Sequence, residues 1–230
     1  MTDTGRLLST IEYSFTNAEL LETALTHSSY ASEHGLRYEL NNERLEFIGD
    51  AYVDAVVGGR LFEIMQDAHE GTLSRNRADV VCEESLADAA RNINLGEFIR
   101  LGKGENASGG RDKDSILADA FEALVGAIIV DGGYDEGKRV ILSLLEDKIN
   151  LAVEGKLNKD YKSRLQEIVQ EKYHGVSIKY ILTDEKGPDH DKVFAVDAVV
   201  NDKVLGSGEG KSKAKAEQAA ARDVLTKGEI

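Results

Sequence analysis

The stretch Asn42-Glu43-Arg44-Leu45-Glu46-Phe47-Ile48-Gly49-Asp50 sets the architecture of the N-terminal part of the chain. Its apolar and acidic residues recur at helical spacing, and the pattern predicts a long helix from Asn42 to about Met65. Glu46 and Asp50 lie within about 60° of Glu43 around that helix, so the three carboxylates share one face. The apolar residues form the opposite stripe: Leu45, Ile48, Tyr52, Ala55 and Val56.

A second acidic cluster occurs much later, in Ala118-Asp119-Ala120-Phe121-Glu122-Ala123. Asp119 and Glu122 share a face of a helix predicted over residues 113–131, which is apolar nearly all round and therefore central in its domain. Carboxylates among apolar side chains are costly to leave unpaired. If the two helices pack together, their acidic oxygens converge into a pocket for a hard divalent cation, usually Mg²⁺ beside phosphates. An acidic helix face alone is more often a solvated surface, but two inward-facing clusters favour a metal site.

The composition indicates a globular protein of one large domain or two smaller ones, since 41% of its 230 residues are hydrophobic. The lone cysteine, Cys82, excludes an internal disulfide and a cysteine-only zinc site, and the two valines before it predict a buried, reduced thiol. The N-terminus shows no signal-peptide pattern, and no window is apolar enough to span a bilayer. We therefore expect a cytoplasmic protein with no membrane partner.

The negative charge of the chain is unevenly distributed. Residues 1–157 carry 15 basic and 29 acidic side chains, whereas residues 158–230 carry 13 of each, so the first part holds the whole net charge of −14. Overall acidity argues against a polyanionic partner. The neutral C-terminal part nevertheless concentrates its lysines locally, so nucleic-acid binding is not excluded.

The hydrophobic period changes along the chain and predicts two domains. Loops are expected at residues 31–41 and 101–111; the second loop is not a P-loop, because no Gly-Lys-Ser/Thr follows its glycines at the required spacing. A polar linker is expected at residues 153–159. Beyond it, the predicted order is helix, three strands and helix, at residues 161–172, 177–182, 193–200, 203–207 and 213–227.

Hydrolysis of a phosphodiester is the reaction that an acidic metal pocket fits best. It needs an activated water and relief of charge on the leaving oxygen, and two metal ions about 4 Å apart supply both. The sequence offers no Gly-x-Ser-x-Gly elbow and no His-Glu-x-x-His pair, and its five histidines are scattered.

A lysine-rich turn lies in the C-terminal part, Gly208-Glu209-Gly210-Lys211-Ser212-Lys213-Ala214-Lys215-Ala216-Glu217. Cations in the first turn of a helix oppose its dipole, so a binding role explains these lysines better than a structural one. Lysines and helix N-terminal N–H groups together suit a phosphate backbone. A solubilising lysine cluster is the alternative.

At this point the chain resembles a known family. Residues 42–50 are similar to the signature of ribonuclease III, and further motifs match in order and spacing at residues 24–30, 70–77, 101–111 and 119–127. Residues 161–225 are similar to the double-stranded-RNA-binding domain of that family. The resemblance implies an all-α endonuclease domain at residues 1–152, a linker at 153–159, and an α+β (α-β-β-β-α) double-stranded-RNA-binding domain at 160–228.

The resemblance also implies roles for the acidic residues. Glu46, Asp50, Asp119 and Glu122 match the magnesium ligands, with Mn²⁺ as a substitute, and Asp50 and Glu122 match the most directly catalytic positions. Two further acids, Glu43 and Glu70, match catalytic residues near the scissile strand. Phe47 matches a residue that docks into a partner subunit, so a homodimer is implied.

A duplex-RNA substrate is implied in the same way. The family cuts both strands and leaves 5′-phosphate and 3′-hydroxyl ends with a two-nucleotide 3′ overhang; ribosomal RNA precursors and structured transcripts are the expected substrates. The implied RNA-binding residues lie on the first helix, the first strand connection and the lysine-rich turn: Gln166, Glu167, His190, Lys211, Ser212, Lys213 and Lys215. The family usually has a basic residue at Ala214, and Asp54 lies outside its pattern, so we expect Asp54 to be a solvated or supporting charge.

Two other functions compete with a metal-dependent endoribonuclease. A non-cleaving duplex-RNA-binding protein would keep the fold without the chemistry, but every matching carboxylate is present. A carboxylate-bridged metal protein acting on small molecules would leave the C-terminal α-β-β-β-α module without a purpose.

Overall fold

The computed structural model describes residues 4–157, 161–173, 176–187 and 192–228, which fall into two compact units divided between Leu157 and Asn158. The α-helices of the first unit are α1 (Gly5–Thr10), α2 (Ala18–Ala24), α3 (Ser28–Glu33), α4 (Glu43–Ile64), α5 (Glu70–Val81), α6 (Glu83–Asn92), α7 (Lys103–Ala107), α8 (Asp114–Gly132) and α9 (Tyr134–Val153). Short 3₁₀ turns occur at Tyr38–Leu40, Leu95–Glu97 and Gly110–Asp112. None of the described helices is both long and apolar enough to cross a membrane.

Helix α8 is the centre of the first unit, as its nearly continuous apolar sequence predicts. Most of its length is buried, and Phe121, Leu124 and Ile128 are fully enclosed. Helix α4 packs against it along its length. The buried residues of α4 extend beyond the predicted stripe to Val53, and Ala55 is exposed instead, because the helix also contacts α5 and α9.

Three local expectations for this unit are wrong. Residues 31–41 and 101–111 are not simple loops: the first contains the end of α3 and a 3₁₀ turn, and the second contains α7 and another 3₁₀ turn. Glycines beside α7 limit it to five residues, since Gly109 has a φ of +79°. Cys82 is exposed rather than buried, because it lies in extended backbone between α5 and α6 while Val80 takes the buried position.

The predicted linker begins on the last residue of α9, and its residues 158 and 159 lie outside the described residues. The second unit contains α10 (Tyr161–Tyr173), β1 (Lys179–Lys186), β2 (Val193–Val200), β3 (Lys203–Gly210) and α11 (Lys213–Lys227). The strands form an antiparallel sheet in the order β1-β2-β3. This is the predicted α-β-β-β-α order.

Small residues let α11 lie directly on the sheet of the second unit. A Cβ on Gly206 would approach Val224 to 2.6 Å, and one on Gly210 would approach the backbone nitrogen of Ala216 to 2.6 Å. The helix meets these glycines with Val224 and Ala216, which are both buried. This packing fixes the start of α11, and with it the lysine-rich turn, at the end of β3.

Candidate metal centre and nucleic-acid interface

The two acidic clusters meet because α4 and α8 touch backbone to backbone. A Cβ on Gly49 would overlap the carbonyl oxygen of Glu122, and a Cβ on Gly126 would overlap that of Leu45. No other residue type fits at either position without moving a helix. Since Gly49 lies between Glu46 and Asp50, the glycine contact brings the acidic face of α4 against that of α8.

Three of the predicted ligands converge in this contact. Glu46, Asp119 and Glu122 each direct a carboxylate oxygen to a place where all three oxygens lie within 4.8 Å of one another. Each side chain is half-buried. Three oxygen donors that leave room for water and phosphate oxygens suit Mg²⁺ or Mn²⁺. Acidic residues of two separate helices thus lie together, and their role as metal ligands stays a prediction.

The pKa values of the three carboxyl groups are raised above their ordinary values. Burial is the largest cause for each: it raises the pKa of Glu122 to about 8, that of Glu46 to about 7, and that of Asp119 above its usual range. Neighbouring carboxylates raise them further, with Asp50 the leading charge on Glu122 and Asp119 the leading charge on Glu46. Burial and mutual repulsion thus disfavour the ionised forms of these carboxyl groups, and a divalent cation among them would favour ionisation.

Asp50 lies beside this group rather than within it. It follows Glu46 by one helical turn, its side chain is exposed, and its charge raises the pKa of both Glu46 and Glu122. The structure therefore places Asp50 near the three carboxylates, at an exposed position of α4.

The other acidic residues have local partners. Glu43 raises the pKa of Tyr38 by accepting a hydrogen bond from it, and its charge also raises the pKa of Glu46. Glu70 begins α5 and accepts a hydrogen bond of 2.6 Å from the hydroxyl of Ser74. Asp54 lies 3.6 Å from the guanidinium of Arg77, which agrees with its expected role as a supporting charge.

One further residue, His27, lies in the motif at residues 24–30 and has no role predicted from the sequence. His27 lowers the pKa of Asp119, opposing the burial that raises it. Its spacing from the acidic clusters carries no periodic signal, and only the tertiary structure brings it to α8.

Phe47 lies on the outside of α4, with 78% of its surface exposed. It borders a cavity of about 840 Å³ that is also lined by Leu20, Tyr38, Ile48 and Val130. Tyr38 and Val130 are themselves 61% and 56% exposed. Charged residues, Glu39, Glu43 and Arg44, line the rest of the cavity. Exposed aromatic side chains beside a cavity of mixed lining are typical of protein interfaces.

In the second unit, the lysine-rich turn forms the N-terminus of α11. The hydroxyl of Ser212 accepts a hydrogen bond of 3.3 Å from the backbone N–H of Lys215 and so caps the helix. The side chains of Lys211, Lys213 and Lys215 are exposed. Among the described residues, Lys213 and Lys215 form no ion pair, so their charges remain available to a phosphate backbone.

Of the other predicted RNA-binding residues, two lie half-buried on α10 and one lies outside the described residues. Gln166 on α10 is half-buried, and its amide binds the backbone before β1, donating to the carbonyl of Val176 and accepting from the N–H of Ile178. Its neighbour Glu167 is also half-buried on α10. His190 lies outside the described residues.

Comparison with known proteins identifies one family match in each of the two compact units. A Ribonuclease-III-like family profile matches residues 17–149, and a double-stranded RNA binding motif matches residues 161–227. The chain is 51% identical to "Ribonuclease 3" of Caldanaerobacter subterraneus subsp. tengcongensis over 94% of both chains. It is 44% identical to "Ribonuclease 3" of Borreliella burgdorferi over 96% of this chain and 89% of that protein.

A solved structure shows the same fold for the first unit. The nuclease domain of ribonuclease III from Campylobacter jejuni superimposes with a TM-score of 0.59 and 42% identity, covering 64% of this chain and 98% of that chain. Its description refers to a region involved in dimer formation.

A helical unit with a carboxylate pocket, joined in one chain to a double-stranded RNA binding motif, defines an endonuclease for duplex RNA. The chain belongs to the ribonuclease III family.

Proposed function

We propose that this endoribonuclease cleaves duplex RNA at the pocket formed by Glu46, Asp119 and Glu122, with Asp50 at its edge and Mg²⁺ as the natural cation. The convergence of three half-buried carboxylates from α4 and α8 carries the proposal. Their raised pKa values support it, because unpaired acids at this density need a counter-charge. Mn²⁺ would substitute, since it favours the same oxygen ligands.

The bound cation would supply Lewis acidity toward the scissile phosphate and lower the pKa of the attacking water. Glu46, Asp119 and Glu122 would hold it. Asp50, exposed one turn beyond Glu46, would orient the attacking water from the solvent side. Glu43 and Glu70, at the first turns of α4 and α5, would approach the scissile strand.

The second unit would bind the substrate through its shape. Lys211, Lys213 and Lys215 would contact phosphates at the N-terminus of α11, while Gln166 and Glu167 on α10 would face a minor groove. The hydrogen bonds of Gln166 to the backbone before β1 would orient its remaining amide N–H. His190 belongs to the proposed contacts by its sequence position alone.

A homodimer forms part of the proposal. The exposed Phe47 and the cavity beside it, which has both apolar and charged lining residues, provide a projection and a recess of the kind that a two-fold interface needs. Two centres in a dimer would cut both strands and leave 5′-phosphate and 3′-hydroxyl ends with a two-nucleotide 3′ overhang. The expected substrates are ribosomal RNA precursors and structured transcripts in the cytoplasm.

A cleavage assay with labelled duplex RNA tests the proposal. We expect cutting with Mg²⁺ or Mn²⁺, binding without cutting with Ca²⁺, and no cutting with chelator, because Ca²⁺ coordinates at longer and less regular distances. Cutting that persists in chelator would refute a metal centre. Binding without cutting in every cation would favour the competing non-cleaving RNA-binding protein.

The dimer has its own test. Phe47→Ser should shift the sedimentation coefficient from that of a dimer to that of a monomer, because it removes the largest exposed apolar side chain beside the cavity. Phe62→Ser is the matched control, since Phe62 on the same helix is 71% exposed and does not border the cavity. A wild-type protein that sediments as a monomer would refute the homodimer.

A further inference from the structure

The cavity beside Phe47 lies between three helices. Ile48 comes from α4, Val130 from the last turn of α8, and Leu20 and Thr23 from α2. Helix α2 has only seven residues. A helix of that length is too short to persist by itself in water, so the wall that α2 provides depends on the contacts that hold the helix in place.

One carboxylate of α8 holds the segment that leads into α2. The Oδ1 atom of Asp131 accepts the backbone N–H of Asn17 at 2.8 Å. Its Oδ2 atom accepts the backbone N–H of Thr16 and the hydroxyl of Tyr13, each at 2.8 Å. A Cβ on Gly132 would overlap the same Tyr13 hydroxyl, so the end of α8 lies close against this segment. Hydrogen bonds to an ionised carboxylate are roughly twice as strong as neutral ones.

Asn17 continues this link into the helix. Its side-chain oxygen accepts the backbone N–H of Glu19 at 3.1 Å and so caps α2. Leu20 follows within the same turn and packs against a buried cluster that includes Ala24 of α2 and Ala127 of α8. The contacts therefore run without a break from the Asp131 carboxylate to a wall of the cavity.

We propose that Asp131 is a positioning residue of the homodimer interface, because it fixes the start of α2 so that Leu20 and Thr23 form a wall of the cavity that receives Phe47 of the partner subunit. The inference rests on the proposed homodimer and deepens it. Asp131 itself does not line the cavity in the described part of the chain, so it would act through α2. A preformed cavity strengthens association because less of the chain must be ordered when the subunits meet.

Two variants at the same carboxylate separate this role from general stability. Asp131→Asn keeps the size of the side chain but replaces one acceptor oxygen by an NH₂ group, so at least one of the two backbone N–H groups loses its acceptor. Tyr13→Phe is the matched control, since it removes only the hydroxyl donor and leaves both backbone hydrogen bonds in place. The readout is the dimer Kd of the full chain without RNA, measured by sedimentation equilibrium.

The Tm of each variant is measured separately, in the Phe47→Ser background. That chain is expected to be a monomer, so dimerisation does not contribute to its Tm. We expect Asp131→Asn to raise the dimer Kd about tenfold, because the released segment must be ordered again on association, and Tyr13→Phe to leave the Kd within about twofold. A wild-type Kd in folded Asp131→Asn would overturn the proposal, and so would a Kd that rises in step with the loss of Tm in both variants.

A second pair of variants acts at the other end of the link and keeps Asp131. Asn17→Ala removes the cap of α2 and should raise the dimer Kd several-fold, whereas Asn17→Ser retains a capping oxygen and should restore the wild-type value. If both variants dimerise like the wild type, the proposal is overturned, even where Asp131→Asn does not fold.

The wild type and Phe47→Ser distinguish failure of this inference from failure of the proposed homodimer. If the wild type sediments as a dimer and Phe47→Ser as a monomer, the interface stands whatever Asp131 does. If the wild type sediments as a monomer, the homodimer and the role of Asp131 are both refuted.

Discussion

The acidic pocket and the lysine-rich turn each gather charges of one sign, but they do so in opposite ways. Glu46, Asp119 and Glu122 come from two helices and are half-buried, so their pKa values rise. Lys213 and Lys215 come from one helical turn and remain exposed. In the proposed function, a small cation would bind to charges that the fold has partly desolvated, whereas a long polyanion would bind to charges still in water.

The largest expected effect lies in the pocket. Glu122→Gln should reduce cleavage by several orders of magnitude and leave duplex binding intact, because it removes a metal ligand without touching the second unit. Single-turnover cleavage and a gel-shift assay in Ca²⁺ measure the two properties separately. Glu171→Gln, an exposed acid on α10, is the matched control and should cut normally. A Glu122→Gln variant that cuts at the wild-type rate would show that the pocket is assigned wrongly.

The second effect concerns the contact that builds the pocket. Gly49→Ala should destabilise the protein by about 1–3 kcal/mol or more, because the added methyl overlaps the backbone of Glu122. Gly59→Ala, on the same helix with open space around it, should instead stabilise it by about 0.5–1 kcal/mol. Urea unfolding of the two variants provides the comparison. Equal effects would contradict the close approach of α4 and α8.

The third effect is a pH dependence of metal binding. Below a pKa of about 8 for Glu122 and about 7 for Glu46, these carboxyls hold protons that a cation must displace. Mn²⁺ affinity should therefore rise through pH 6–8, by up to about tenfold per unit where one proton is released. Calorimetry in buffers of different ionisation enthalpy would count the protons. A flat profile would contradict the raised pKa values.

The same pKa shifts predict the stability of the cation-free protein. Because the pKa of Glu122 is raised, the folded state binds more protons than the unfolded state at pH values above 4.5, the ordinary pKa of this carboxyl group. The contribution of Glu122 to the free energy of unfolding is therefore fully present below pH 4.5. It is lost as the pH rises through about 8. Thermal melts in chelator should show Glu122→Gln gaining Tm relative to wild type as the pH increases.

The smallest effect is expected at the lysine-rich turn. Replacing Lys213 and Lys215 together by glutamine should weaken duplex binding several-fold and reduce the slope of log K against log salt by about 2, since two phosphate contacts are lost. The same charge change at the exposed Lys179 and Lys203 on the strands is the control. If both pairs alter the slope equally, only net charge matters and the turn is not a specific site.

The helices that carry the pocket were predictable because their patterns are long and regular. Asn42 to about Met65 matches α4, and residues 113–131 match α8, each within a few residues. The α-β-β-β-α order is likewise confirmed. Patterns of this length outweigh the ambiguity of any single residue.

Short elements were predicted poorly. Residues 101–111 contain four glycines, which favour a loop, yet α7 forms there between Gly102 and Gly109. It is held by tertiary contacts, including the hydrogen bond from the backbone N–H of Lys103 to Glu33. Local propensity could not indicate that partner, because it lies 70 residues away.

The sequence by itself determined the two-domain order, the acidic faces of α4 and α8, and the lysines of α11, since each follows from spacing along one element. Only the tertiary structure decided that Glu46, Asp119 and Glu122 converge and that Asp50 lies exposed one turn beyond Glu46. The reason is physical: helical periodicity states which way a side chain points, but the approach of two helices depends on Gly49 and Gly126 meeting opposite backbones.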